Sequence, residues 1–133
     1  MINFHLNIQL LILKYYYDDK LRFEGEYLNG ERNGRVKEYY HNGKLLFEGE
    51  YLNGEKNGNV IEFNNNRLLF EGEYLKGVKN GKGKEYYFNG NLKFEGEYLN
   101  GERNGKGKEY YYNGNLEFEG EYINGKRKEN NYW

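Results

Sequence analysis

Apolar and polar residues alternate along this chain in short, evenly spaced bursts. Phe94-Glu95-Gly96-Glu97-Tyr98 puts Phe94, Gly96 and Tyr98 on one side of an extended strand and both glutamates on the other. The same five-residue string begins at Phe23, Phe47, Phe70, Phe94 and Phe118, with spacings of 24, 23, 24 and 24 residues. Between the strings lie a loop, such as Leu99-Asn100-Gly101-Glu102-Arg103-Asn104, and a Tyr-rich run closed by Asn-Gly, such as Tyr110-Tyr111-Tyr112-Asn113-Gly114. A fixed period of this kind marks a repeat architecture, each unit too small to bury its own apolar face. No segment of helical period is long enough to compete. The expected fold is all-β: an elongated single-layer twisted antiparallel sheet of stacked β-hairpin repeats. Residues 14–125 form the array, with units starting at about 23, 47, 70, 94 and 118 after a half unit at Tyr15–Arg22. Residues 1–13 are expected as an N-terminal strand or degenerate segment, and residues 126–133 as a polar C-terminal tail.

Turn chemistry supplies a register. The Asn-Gly pairs at 42–43, 89–90 and 113–114 predict two-residue type I′ hairpins, whose central residues both need positive φ. Asn100-Gly101-Glu102-Arg103 suits a four-residue loop. Closing that loop between Leu99 and Asn104 pairs Glu97 with Lys106, Glu95 with Lys108, Gly96 with Gly107 and Tyr98 with Gly105. Closing the next turn around Asn113-Gly114 pairs Lys108 with Glu119, Lys106 with Glu121 and Gly107 with Gly120. Two turns therefore agree on one face with a Glu–Lys–Glu ladder and another with a glycine row flanked by aromatics.

A glycine row lets Phe and Tyr rings lie over bare backbone and lets the sheet twist. Each glycine costs about 0.5–1 kcal/mol in a strand, and each cross-strand charge pair contributes only ~0.2–1 kcal/mol. Stability must then come from neighbouring units covering the rings. With rings packed on backbone, no cavity for chemistry is expected. Inward Tyr27, Tyr51, Tyr74, Tyr98, Tyr111 and Tyr122 are expected in the core. Around Asn64-Asn65-Asn66-Arg67 the unit is a residue short and lacks its glycine, which predicts a bend or softer pairing there.

Composition removes whole classes of function. The chain has no Cys, Ser, Thr, Pro or Ala, and His5 and His41 are its only imidazoles. Ser, Thr and Cys nucleophiles, disulfides and thiolate zinc sites are excluded, and no metal or cofactor is expected. A net charge of −1 gives no general attraction to nucleic acid or anionic membrane. Sixteen Tyr and eight Phe in so polar a chain argue against ordinary disorder. The longest apolar stretch, Leu10–Leu13, is far below the ~20 residues of a membrane helix and makes a poor export signal. A cytoplasmic location follows as an expectation.

The pattern resembles MORN repeats, whose motif runs Tyr-x-Gly-x-Trp, x-x-Gly, x-x-x-Gly-x-Gly, an aromatic four residues on, then x-x-Gly. Phe94, Gly96, Tyr98, Gly101, Gly105, Gly107, Tyr111 and Gly114 occupy those positions, as do Phe70, Gly72, Tyr74, Gly77, Gly81, Gly83, Tyr87 and Gly90. The wording Asn-Gly-x-Leu-x-Phe-Glu-Gly-Glu-Tyr is similar to a bacterial antitoxin-like MORN variant. Two departures stand out: Tyr replaces the usual Trp, and Arg35-Val36 and Asn59-Val60 replace a Gly-x-Gly continuation. The resemblance implies a rod of stacked hairpins acting as a scaffold, with protein contact, self-association or phospholipid attachment as its uses.

Candidate sites are few. Gly81-Lys82-Gly83-Lys84 is no phosphate loop, because a Tyr-rich strand rather than a helix follows it. The recurrent Glu-x-Glu pairs read as a solvated ladder, since a catalytic pair needs one carboxyl in a distinct environment. His41 reads as an exposed turn residue. Outward Tyr39, Tyr86 and Tyr110 could stack on a partner. Lys126-Arg127-Lys128, near Trp133, is the one basic cluster that could meet an anionic headgroup, with a frayed tail as the plainer reading. The expected function is a non-catalytic scaffold or protein–protein interaction module with an unidentified protein partner, self-association included. Peripheral attachment to anionic phospholipid is the alternative, and an antitoxin-like or carbohydrate-binding repeat protein comes next. Nucleic acid is not an expected partner.

Overall fold

The computed structural model describes residues 10–129. Among these residues eleven strands follow one another in a single antiparallel sheet, each paired with its sequence neighbours. They are β1 (Leu10–Tyr17), β2 (Lys20–Leu28), β3 (Glu31–Tyr39), β4 (Leu45–Leu52), β5 (Glu55–Asn64), β6 (Arg67–Leu75), β7 (Val78–Tyr86), β8 (Leu92–Leu99), β9 (Glu102–Tyr110), β10 (Leu116–Ile123) and β11 (Lys126–Arg127). The expected boundary at residue 13 thus runs through β1, and the expected tail begins with a short strand. Residues 1–9 and 130–133, which include His5 and Trp133, lie outside the described residues.

The glycine row exists. Leu13, Gly25, Val36, Gly49, Val60, Gly72, Gly83, Gly96, Gly107 and Gly120 pair successively across β1 to β10. A Cβ built on Gly107 would lie 2.6 Å from Cε2 of Phe94 and 3.0 Å from Cε2 of Tyr122, so the rings rest directly on the backbone. Phe23, Phe47, Phe70 and Phe94 are buried, with Val36, Val60, Tyr51, Tyr98 and Tyr122 around them. Burying each such ring is worth roughly 1.5–3 kcal/mol. Edge-to-face contacts join Phe70 to Tyr98 and Phe94 to Tyr122 of the next unit, at 5.6 and 5.2 Å between centroids. Where Val36 and Val60 replace a glycine, no ring pair joins Phe23 to Tyr51 or Phe47 to Tyr74 among the described residues. The valine side chain fills the place that the glycine leaves to the rings, and both valines are 2% exposed.

The two turn types are exchanged relative to expectation. Asn100-Gly101 forms a two-residue type I′ turn, with φ of 52° and 87°, and Asn29-Gly30, Asn53-Gly54, Lys76-Gly77 and Asn124-Gly125 repeat it. The Asn-Gly pairs at 42–43, 89–90 and 113–114 belong instead to three-residue loops. Gly114 N–H donates to Tyr111 O (2.9 Å), Tyr111 N–H donates to Asn115 O (2.8 Å), and of the pair only Gly114 has positive φ. That is a type I turn with a glycine bulge. The Asn side chain still works there, accepting Asn115 N–H through Oδ1 at 3.0 Å.

Bulges reconcile the altered turns with the expected mid-strand register. Tyr98 faces Arg103 rather than Gly105, yet Gly96 faces Gly107 as expected. Glu97 alone therefore spans Asn104–Lys106, and its carboxylate accepts Lys106 N–H at 2.9 Å. Gly105, at φ +97°, turns the backbone through this bulge. On the other side a shift between Leu116 and Phe118 restores Glu119 opposite Lys108, Gly120 opposite Gly107 and Glu121 opposite Lys106. The short joint keeps its pairing, where a bend or softer pairing was expected. Asn65-Asn66 (φ 49° and 65°) closes a two-residue turn, Asn64 pairs Arg67, and the β5–β6 ladder is continuous from Gly58 to Asn64 apart from one shift. Asn tolerates positive φ, so losing the glycine does not break the hairpin.

Candidate interaction surface

The two faces of the sheet differ in what they leave open. On the aromatic face a cation covers each Phe. Arg32, Lys56, Lys79, Arg103 and Arg127 lie 4.2, 4.4, 4.1, 4.1 and 4.7 Å from the ring centroids of Phe23, Phe47, Phe70, Phe94 and Phe118. A carboxylate from the same face then ties cation and tyrosine together. Glu109 accepts from Tyr122 Oη (2.6 Å), Arg103 Nη1 (3.0 Å) and Arg127 Nη2 (2.9 Å). Burial opposes ionisation of Glu109, but the bonds from Arg127 and Tyr122 and the charges of Arg103 and Arg127 hold its carboxyl below the usual range. Glu38 receives Tyr51 Oη at 2.7 Å, and Glu62 receives Tyr74 Oη. Burial, then the bond to Glu38, pushes the Tyr51 hydroxyl up to about 12. This face is shut by its own side chains.

Sequence reading missed that arrangement. Its signal was present: a cation always stands nine residues after the Phe, and a glutamate stands fifteen after it at 38, 62, 85 and 109. Counting along a four-residue loop hid it, because only the two-residue turn and the bulge bring position nine back over the ring.

The expected core tyrosines are in place with one correction. Tyr51, Tyr98 and Tyr122 are buried, and Tyr27 and Tyr74 pack partly buried against the core. Tyr111 is 51% exposed. Its counterparts Tyr40 and Tyr87 donate their hydroxyls to the backbone of the next unit, at Phe63 O (3.1 Å) and Tyr110 O (2.7 Å). Among the described residues Tyr111 has no such backbone acceptor.

The ladder face is open. Glu24, Glu48, Glu71, Glu95 and Glu119 alternate with Lys14, Lys37, Ile61, Lys84 and Lys108 across successive strands. A second row pairs Arg35 with Glu50, Asn59 with Glu73, Lys82 with Glu97 and Lys106 with Glu121. Between the rows the glycine backbone forms a floor, and the result is an open trough of about 690 Å³ running from β5 to β9. A continuation of about 470 Å³ reaches β10. The expectation of no cavity is therefore corrected: the rings fill one side of the glycine row and leave the other side empty. Lys108 Nζ is 3.9 Å from Glu119, an exposed pair worth little. Several carboxylates are instead held by backbone N–H and tyrosine donors.

Tyr39, Tyr86 and Tyr110 come to this same face, each half-buried. Tyr39 donates to Glu24 at 3.0 Å and Tyr86 to Glu71 at 2.6 Å. Burial, then the bond to and charge of the carboxylate, pushes both hydroxyls up to about 12. Lys126, Arg127 and Lys128 are not brought together as a free patch. Arg127 is held by Glu109 and Glu117 under the aromatic face, and Lys128 Nζ lies 3.8 Å from Glu121. His41 is exposed in its turn.

The MORN repeat model matches residues 70–92, 94–116 and 118–128, and the MORN repeat variant model matches residues 32–53. Together they cover more than half of the chain. The chain belongs to the MORN-repeat family. The variant match falls on the segment that carries Val36, and the standard match falls on the units that carry Gly83 and Gly107. Comparison with curated proteins finds no match. MORN repeats are generally interaction or membrane-binding modules and are typically non-catalytic.

Proposed function

We propose that this MORN-repeat array is a non-catalytic protein–protein interaction module whose binding surface is the trough on the ladder face. The contrast between the faces carries the reading. Phe, Tyr, Arg and Glu side chains saturate one another on the aromatic face, whereas the other face presents about 690 Å³ of open space between charged walls. A long floor of backbone with few side chains suits an extended segment of a partner. The paired state of Arg127 and Lys128 supports a protein rather than an anionic lipid as the ligand.

The test is site-specific photo-crosslinking in the source cells, with a benzoyl-phenylalanine at Lys84 in the trough or at Lys44 in an exposed turn. A discrete adduct from position 84 and none from 44 is the expected result. Equal labelling at both positions, or adducts only with lipid, would contradict the reading.

A further inference from the structure

The charge ladder is regular except at one strand. Acidic pairs come from β2, β4, β6, β8 and β10, and the strands between them supply cations: Arg35 and Lys37 from β3, Lys82 and Lys84 from β7, Lys106 and Lys108 from β9. On β5 the corresponding residues are Asn59 and Ile61. Ile61 faces Glu48 on one side and Glu71 on the other, and Asn59 faces Glu73. Glu48, Glu50, Glu71 and Glu73 therefore flank a neutral strand from which two positive charges are missing. Strands lie about 4.8 Å apart, so the two acidic pairs stand about 10 Å from each other across Ile61. Asn59 and Ile61 line the β5 end of the trough with Glu71 and Glu73, and Glu48 lines a smaller hollow on the other side of β5.

Two of these carboxylates are already aimed. Glu73 Oε2 accepts Lys82 N–H at 2.7 Å, and Glu71 Oε1 accepts Tyr86 Oη at 2.6 Å. Among the described residues the second oxygen of each accepts no hydrogen bond, and a pre-oriented acceptor loses little entropy on binding. Half-buried Ile61 gives an apolar contact at the centre.

We infer that the β5 gap is the docking point for a basic segment of a partner protein, with Lys or Arg side chains about 10 Å apart on either side of an apolar residue seated on Ile61. Charge complementarity selects this occupant: the segment supplies the cations that β5 lacks. The inference rests on the interaction-module reading above and names the chemistry of the partner.

The experiment uses fluorescence polarisation of a labelled twelve-residue peptide, (Lys-Gly-Leu-Gly)3, which when extended presents lysines and leucines in turn on one face, with flexible lysine stems that let neighbouring ammonium groups stand about 10 Å apart, against (Glu-Gly-Leu-Gly)3. The protein is compared with Asn59→Lys/Ile61→Lys, which copies the lysine pattern of β7 and β9 onto β5 and so keeps the fold. A second variant, Leu52→Lys/Leu99→Lys, adds the same charge at exposed strand ends. The protein is expected to bind the lysine peptide at least about tenfold more tightly than the glutamate peptide, with the preference weakening as salt rises. The β5 variant loses that preference and the strand-end variant keeps it. No binding of the lysine peptide, or equal loss in both variants, overturns the inference. Either outcome leaves the crosslinking test of the module itself unaffected.

Discussion

Tyr98 and Tyr122 hold the same place in successive units but end differently. Tyr122 donates to Glu109 at 2.6 Å, whereas the buried hydroxyl of Tyr98 stands beside Glu85 and Arg103 without a well-formed hydrogen bond among the described residues. The carboxylate that would receive it, Glu85, is taken by Arg103 through Nε (2.9 Å) and Nη2 (2.6 Å). A bond to a charged group is worth about 1.5–3 kcal/mol, and a buried hydroxyl without one costs rather than contributes. Tyr122→Phe should therefore lower stability by about 1.5–3 kcal/mol. Tyr98→Phe should change it by less than about 0.5 kcal/mol or raise it. Urea denaturation of the two variants checks the order, and equal losses would refute it. The sequence sets Lys79 beside Tyr98 and Arg103 beside Tyr122, but it does not tell which carboxylate the Arg103 guanidinium turns to.

Each hairpin is decided by a turn of two or three residues and a bulge that repairs the register. The β5–β6 turn is informative, since Asn66 occupies a positive-φ position that Gly77 or Gly101 fills elsewhere and that Asp19 fills in the β1–β2 turn. Asn66→Gly should raise stability by a few tenths of a kcal/mol, to about 1 at most, by relieving that conformation. A lower thermal midpoint would count against the type I′ assignment. The strands themselves were legible from alternation around Phe-Glu-Gly-Glu-Tyr, and so was the alignment of Gly96, Gly107 and Gly120. The turn types were not, because Asn-Gly serves both a type I′ turn and a type I turn with a bulge. Only the number of residues between paired strand positions distinguishes them. The mid-strand register survived because the bulges compensate for the shorter and longer loops.

At the scale of the molecule, one row of missing side chains gives the sheet two unlike faces. Rings lie on the glycines from one side and are covered by cations and carboxylates, which a count of nine and fifteen residues from each Phe would have disclosed. The other side is left as a trough, which alternation does not disclose, because it shows what covers the rings and not what the opposite face leaves open. The expected surface residues Tyr39, Tyr86 and Tyr110 do belong to this open face, but Tyr39 and Tyr86 are tethered to glutamates and act as part of its wall. The gap at β5 could be seen in the sequence as Asn59-Val60-Ile61 replacing a Lys-Gly-Lys triplet, yet its meaning depends on the neighbouring acidic strands being brought alongside.

Nuclear Overhauser spectroscopy on labelled protein tests the placement of the rings directly. The account predicts contacts from the Phe94 ring protons to the Hα protons of Gly96 and Gly107, and none to the side chains of Lys106 or Lys108. Ring contacts to those lysines, or their absence at Gly107, would put the aromatics in the trough and contradict it.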